Sequence, residues 1–296
     1  MSWASELAAL GRLNEQVAMS AHTTLAVGGP ARWYFRPAGI EPLAAAMKLI
    51  PAELPILPLG RGSNLLIPDN GFDGLVLDFG DISGIVFNDN KLTAEAGARM
   101  SKVAQQCAAN GLSGVEFLAT VPGDMGGGVV MNAGAFGQQI SDTLDSVRVM
   151  YRSGEMELVA REQLNMAYRH TELPAGALVI SASFTLGSDE PESIRDRMRD
   201  MRSQRSSSQP LALPNCGSVF KNPEGDHAAR LIEAAGLKGT KIGNARISST
   251  HANFIVNEGG ATSRDVLALI HMARQAVEEQ FGIRLEPEVR ILGGQL

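Results

Sequence analysis

The sequence predicts an α+β protein in two parts, a larger first domain and a smaller second one. Three observations lead there. Short apolar runs separated by glycine-rich turns fill the first half. A polar, charge-mixed stretch at residues 188–209 then interrupts the chain. Beyond it, two helical patterns bracket one strand-like run. The 296 residues suffice for two cores, and 44% hydrophobic with 20% charged content is globular.

Ile56-Leu57 lies between Pro55 and Pro58, which restricts it to a short edge strand. Leu65-Leu66-Ile67 and Leu75-Val76-Leu77 read as short strands. Residues 101–110 carry a helical pattern that Gly111 stops, with Cys107 on its buried side. Residues 147–151, 157–159 and 179–186 read as further strands. In the polar stretch, Ile194, Met198 and Met201 recur at helical spacing among five arginines. It reads as a solvated, ion-paired helix or as an anion site, and the domain boundary falls here. Residues 226–235 form a helix with Asp226 as N-cap and Gly236 at its end. Residues 252–256 are a strand. Residues 263–281 are the clearest helix, with Val266, Leu269, Ile270, Ala273 and Val277 on one core-facing stripe.

The net charge of −6 argues against a nucleic-acid binder that works by neutralising phosphates. The two cysteines, Cys107 and Cys216, give no metal-ligand pattern and suit a reducing compartment. No basic region followed by an apolar core opens the chain, and no apolar run approaches the ~20 residues of a membrane span. The expected location is cytoplasmic.

Neither G-x-G-x-x-G between strand and helix nor G-x-x-x-x-G-K-[ST] is present. Two other glycine-rich loops are: Gly60-Arg61-Gly62-Ser63-Asn64, and Pro122-Gly123-Asp124 running through Gly126-Gly127 to Asn132-Ala133-Gly134. Small residues let main-chain N–H groups converge on a phosphate. Either loop alone is more often a plain turn. Together in one domain they favour a dinucleotide held by backbone. A third segment, Asn215 to Pro223, places Ser218, Lys221 and Asn222 between a glycine and a proline. Such punctuation predicts a presented turn, structural or aimed at a ligand. Taken alone, Arg169 also reads as a surface ion-pair former and Glu288 as a solvated carboxylate.

In order along the chain, these segments resemble the UDP-N-acetylenolpyruvylglucosamine reductase family. The opening Thr23-Thr24-Leu25-Ala26-Val27-Gly28-Gly29 is similar to the family's first motif, and the two glycine loops to its FAD loops. Tyr168-Arg169, Gly217-Ser218, Ser249-Thr250-His251-Ala252-Asn253 and Leu285-Glu286-Pro287-Glu288 resemble further family segments. The resemblance spans Thr23 to Gly293. It implies an FAD-binding domain of the PCMH type at residues 1–190, a smaller α+β substrate-binding domain at 191–286, and a tail at 287–296 carrying a catalytic glutamate. It implies NADPH-dependent reduction, through FAD, of UDP-N-acetylglucosamine enolpyruvate to UDP-N-acetylmuramate in cell-wall synthesis.

The roles implied are Arg169 on the substrate carboxylate, Ser218 as proton donor and Glu288 assisting protonation. Gly60, Arg61, Gly62, Ser63, Asn64, Pro122, Gly123, Gly126, Gly127, Asn132, Ala133 and Gly134 are the expected FAD residues. Tyr168, Lys221, Asn222 and His251 are the expected substrate contacts. Asp124 stands where the family has a small hydroxyl residue, and Thr171 replaces a serine. No tyrosine follows Tyr168, so the chain is similar to the shorter subclass, without a tyrosine-bearing insert. An FAD-dependent oxidase or dehydrogenase of another small substrate on the same fold is the alternative. A non-catalytic nucleotide-sugar binder is a third reading.

Overall fold

The computed structural model describes residues 3–293. They form two compact packing units, interleaved in the chain. The first contains residues 3–15, 33–60 and 74–204; the second contains 16–32, 61–73 and 205–293. This division departs from the sequence-ordered ranges 1–190, 191–286 and 287–296, of which 1–2 and 294–296 lie outside the described residues. The reason is burial. Leu25, Val27 and Leu66, early in the chain, sit in one core with Phe220, Leu231 and Ile255. Helix Pro191–Ser208 instead buries Ile194 and Met198 in the core of the first unit.

The first unit holds most of a sheet in the order Gly11–Ala18, Pro30–Pro37, Phe72–Asp78, Ile56–Leu59. Ile56–Leu59 is indeed an edge strand, paired in parallel so that Leu59 faces Asp78. Helix Ile40–Leu49 contributes Leu43, Ala46 and Met47 to a core shared with Phe35, Leu75 and Leu77. A second sheet is wholly antiparallel, in the order Met156–Ala160, Leu144–Met150, Leu178–Thr185, Lys91–Glu95, Ile85–Asn88. Helix Met100–Ala109 buries Val103 and Cys107 in the core that includes Phe184 of that sheet. In helix Pro191–Ser208, Arg195 and Arg199 pair with Glu192 and Asp196. Arg197 reaches the buried Glu116 at 2.7 Å and Asp189 at 2.8 Å.

The second unit is built on an antiparallel sheet in the order Asn215–Ser218, Phe254–Asn257, Ala245–Ile247, Lys241–Ile242. Helix Ser263–Phe281 spans the predicted residues. Thr262 and Asp265 form its capping box, and Gly282, at φ +69°, ends it in the left-handed conformation. The other helix, Ala228–Ala234, is shorter than expected. Asp226 does not cap it as predicted: its carboxylate takes the His227 N–H and pairs with Arg230, while Asn222 Oδ1 accepts from Ala228 N at 3.1 Å. A parallel pair, Leu65–Leu66 with Arg290–Ile291, closes the unit. Among the described residues no helix is long and apolar enough to cross a membrane.

Candidate active site

The first glycine loop follows strand Ile56–Leu59 directly. The end of that strand is fixed through its neighbour Asp78. That carboxylate is 4% exposed and accepts from Tyr34 Oη at 2.5 Å, Arg36 Nε at 2.6 Å and Gly80 N at 2.8 Å. Burial, and then the bond to Asp78, push the Tyr34 hydroxyl well above the ordinary phenol range. Gly60 has no room for a side chain: a Cβ there would lie 2.9 Å from Asp124 Oδ2. Gly62 has φ +59°, and a Cβ would come within 2.5 Å of the His22 carbonyl. The main-chain N–H groups of Gly60, Arg61, Gly62 and Asn64 donate to no acceptor in the described chain. A run of such donors in a glycine-containing turn is a concavity suited to an anion. This fits a pyrophosphate held by backbone.

The second loop belongs wholly to the first unit. Its glycines divide by what surrounds them. A Cβ on Gly126 would meet Ala96 Cβ at 2.9 Å, and one on Gly128 would meet Met100 Sδ at 2.7 Å, so both serve close packing. Gly127 is exposed, with nothing within 4 Å of its Cβ position. Pro122 is exposed as well, and Gly123 has φ +124°. Asn132 is fully buried, and its side chain is committed to the protein. Nδ2 donates to Gln139 Oε1 at 3.1 Å and to the Ala167 carbonyl at 3.0 Å, and Oδ1 accepts from Ser141 N at 3.0 Å. Ala133 is 8% exposed and packs in the core. Gly134 opens a hairpin, Gly134–Ala135 with Gln138–Gln139, whose two-residue turn has positive φ at both Phe136 and Gly137.

Arg169 is presented by a tight turn in which Ala167 and His170 exchange main-chain hydrogen bonds of 2.9 and 3.1 Å. It occupies the third turn position with φ +55°, where glycine or asparagine is the usual residue. Its guanidinium donates to the Gly134 carbonyl at 3.0 Å and lies 5.0 Å from the ring centroid of the exposed Tyr168. Thr171 Oγ1 donates to the Val129 carbonyl at 2.5 Å, which ties the turn to the second glycine loop.

The segment from Asn215 is a strand, not the free turn that its glycine suggested. A bulge re-aims its end. Asn215 pairs with Val256 and Ser218 with Phe254, so two residues face one across the ladder. Gly217, at φ +78°, absorbs the extra residue, and its N–H donates to Asn215 Oδ1 at 3.0 Å. Ser218 is half-buried at the bulge exit. Glu288 approaches from the chain's end. Its N–H donates to the Val219 carbonyl at 2.8 Å, and Phe220 forms a bridge with Pro287. The structure therefore brings Ser218 and Glu288 together within the second unit; Arg169 belongs to the first. Cys216, two residues before Ser218, is 2% exposed. Burial pushes its thiol up to about 12, and the Glu288 carboxylate adds to the shift.

The remaining expected contacts are placed less uniformly. Lys221 Nζ pairs with Glu286 at 2.6 Å, beside the bond from Lys221 N to the Glu286 carbonyl. Asn222 is engaged as the helix partner of Ala228. His251 stacks edge-on against Phe254 at 4.9 Å, and burial lowers the pKa of its ring, whose Nδ1 has no hydrogen-bond partner. Sequence reasoning missed Asn253, 3% exposed. Its side chain takes both main-chain groups of Phe220, donating to the carbonyl at 2.8 Å and accepting from the N–H at 2.9 Å. Its signal was visible only as an asparagine inside an apolar strand.

The comparisons with known proteins agree with this geometry. Residues 31–159 match the family described as FAD binding domain. Residues 209–292 match the UDP-N-acetylenolpyruvoylglucosamine reductase C-terminal domain. The UDP-N-acetylenolpyruvoylglucosamine reductase of Magnetococcus marinus is 42% identical over 287 residues, covering 95% of this chain and 92% of that protein. That of Alkalilimnicola ehrlichii is 40% identical over 96% of this chain and 95% of its own length. The crystal structure of UDP-N-acetylenolpyruvylglucosamine reductase from Thermus caldophilus superposes with a TM-score of 0.83 at 35% identity, covering 95% of this chain and 99% of that one. A glucooligosaccharide oxidase from Acremonium strictum, at 16% identity and a TM-score of 0.50, shares the fold alone.

The α+β frame and its family matches define a flavoprotein oxidoreductase with an FAD-binding part of the PCMH type and a smaller second part. More narrowly, the chain belongs to the UDP-N-acetylenolpyruvoylglucosamine reductase family.

Proposed function

We infer that this chain reduces UDP-N-acetylglucosamine enolpyruvate to UDP-N-acetylmuramate, with FAD bound and NADPH as reductant, in peptidoglycan synthesis. The observation that carries the reading is the ladder joining Ser218 to Glu288 through the Val219 carbonyl. It occurs in a chain about 40% identical to reductases of that name.

Bound FAD would take a hydride from NADPH and deliver it to the enolpyruvyl double bond. We assign its pyrophosphate to the N–H groups of residues 60–64 and its neighbouring contacts to Pro122, Gly123, Gly127 and Gly134. Gly126, Asn132 and Ala133 act by shaping that second loop from beneath. We assign residues 31–159 to the cofactor and 209–292 to the sugar nucleotide, as their family matches suggest.

Hydride addition leaves negative charge beside the substrate carboxylate. Arg169 meets that carboxylate with a planar fork of donors. Ser218 Oγ gives the proton that completes saturation of the double bond, and Glu288 assists that transfer. A hydroxyl is a weak acid in water, so the step requires a strongly basic carbon and exclusion of solvent. Tyr168, exposed on its turn, and the half-buried Lys221 supply substrate contacts. We assign Asn222, bonded to Ala228, and His251, packed on Phe254, to supporting the second unit's surface rather than touching the ligand. Such chemistry on soluble nucleotide precursors suits a cytoplasmic enzyme.

The test is direct. Purified protein should be yellow, release FAD on denaturation, and consume one NADPH per enolpyruvyl sugar nucleotide. Flavin reduction by an alcohol without NADPH would favour an oxidase instead. Colourless protein that FAD cannot reconstitute would remove the flavoenzyme reading altogether.

A further inference from the structure

We propose that Asn64 is a positioning residue that ties the cofactor loop to the main chain of Glu288. The proposal rests on the functional reading above. Asn64 ends the first glycine loop and is half-buried. Its Nδ2 donates to the Glu288 carbonyl at 3.1 Å, and its own carbonyl accepts from Arg290 N at 3.1 Å. The following residues, Leu65 and Leu66, pair in parallel with Arg290 and Ile291, and Leu292 N donates to the Leu66 carbonyl at 3.0 Å. The amide orientation is dictated by chemistry: Oδ1 in place of Nδ2 would set two acceptors against each other.

Glu288 is therefore held by both of its main-chain groups. The N–H goes to Val219, next to Ser218, and the carbonyl goes to Asn64. The main-chain N–H of Asn64 is one of the donors that meet no acceptor among the described residues. One residue thus has its main chain in the turn with the open donors and its side chain on the main-chain carbonyl of Glu288. The loop that grips the cofactor and the ladder that sets the proton donors are one hydrogen-bonded structure. A single neutral hydrogen bond contributes little to overall stability. Its consequence for position is larger, because displacement of a reacting group by about 1 Å can cost on the order of 10²-fold in rate.

The experiment compares wild type, Asn64→Ala, Asn64→Asp and Glu288→Gln as full-length protein. FAD dissociation constants come from flavin fluorescence, and single-turnover reoxidation by the enolpyruvyl sugar nucleotide is followed in FAD-saturated protein. In Asn64→Ala the limiting reoxidation rate should fall roughly 10- to 100-fold. The substrate concentration at half-maximal rate and the FAD dissociation constant should each move less than about threefold, since the main-chain donors remain. Asn64→Asp keeps the shape but sets a carboxylate against the Glu288 carbonyl, so it should be the slower variant. Were Asn64 only a space-filling residue, alanine would be the worse. An alanine variant slower than aspartate overturns the proposal. So does a greater than tenfold loss of FAD affinity with reoxidation unchanged in loaded protein. If wild type itself fails to react with the enolpyruvyl sugar, or Glu288→Gln reacts at the wild-type rate, the functional reading falls, and this proposal with it.

Discussion

The carbonyl of Val219 accepts the Glu288 N–H at 2.8 Å, and Val289 donates to the same oxygen at 3.3 Å. This contact joins residues nearly 70 positions apart and sets a serine and a glutamate side by side. Neither partner uses a side chain, so the contact survives side-chain substitution. Ser218 and Glu288 can therefore be varied one at a time without dismantling the site.

The turn at Arg169 offers a separation of stability from chemistry. A non-glycine residue at φ +55° carries strain of roughly 1–2 kcal/mol. Arg169→Gly relieves that strain while losing the bond to the Gly134 carbonyl. Its unfolding free energy should stay within about 1 kcal/mol of wild type. Turnover should collapse, and should fall in Arg169→Lys too, because lysine lacks the planar fork. Thermal melts beside steady-state rates check this; a wild-type rate in Arg169→Lys removes the guanidinium from the mechanism.

Two glycines should respond oppositely to alanine. Gly62→Ala forces a left-handed Cβ to within 2.5 Å of the His22 carbonyl and should destabilise by at least ~1 kcal/mol while weakening FAD binding. Gly127→Ala meets open space in a helix, where alanine is favoured by up to about 1 kcal/mol. It should melt higher and still bind FAD less well. Undiminished FAD affinity in Gly127→Ala would place that face away from the cofactor.

The alkaline limb of stability should follow the two thiols. Burial pushes both Cys107 and Cys216 from 9.0 up to about 12. Each stays protonated in the folded chain while the unfolded chain ionises, so the unfolded state loses protons first. Stability from these groups is complete below about pH 9 and falls as the pH rises from there toward 12. Urea titrations from pH 7.5 upward should show that fall, and the native thiols should resist a disulfide reagent that labels both after unfolding. Rapid labelling of native Cys216 would contradict its burial.

The regular elements that were legible carry local signals, whereas strands Gly11–Ala18 and Pro30–Pro37 and helix Ile40–Leu49 were not read from the sequence. Helix Ser263–Phe281 has its stripe, its cap and its terminal glycine within one segment, and the sequence reading matched it. Strands at Leu144–Met150 and Leu178–Thr185 were found within a few residues by their apolar runs. The cap at Asp226 was misread because Asn222, four residues earlier, loops back to the helix. The interleaving of the two units was invisible, since it depends on Leu25, Val27 and Leu66 finding distant core partners. At the site, glycine spacing marked the loops but could not separate Gly127, in the open, from Gly126 against Ala96. The supporting role of the buried Asn253 amide was equally hidden, and Asn64 was marked only as a loop residue, because a side-chain amide's partner has no periodic signature.

The measurement closest to the central claim is stopped-flow absorbance of Ser218→Ala, with the two half-reactions followed separately. If Ser218 supplies the proton at the substrate carbon, NADPH should reduce the flavin in this variant at the wild-type rate. Reoxidation by the enolpyruvyl sugar nucleotide should slow by roughly 10²–10⁴-fold, the contribution of a positioned acid. The bulge that carries residue 218 depends on Gly217 and main-chain pairing, so the fold should persist. Equal slowing of both half-reactions would indicate a disturbed flavin site, and reoxidation at the wild-type rate would contradict the proton-donor assignment outright.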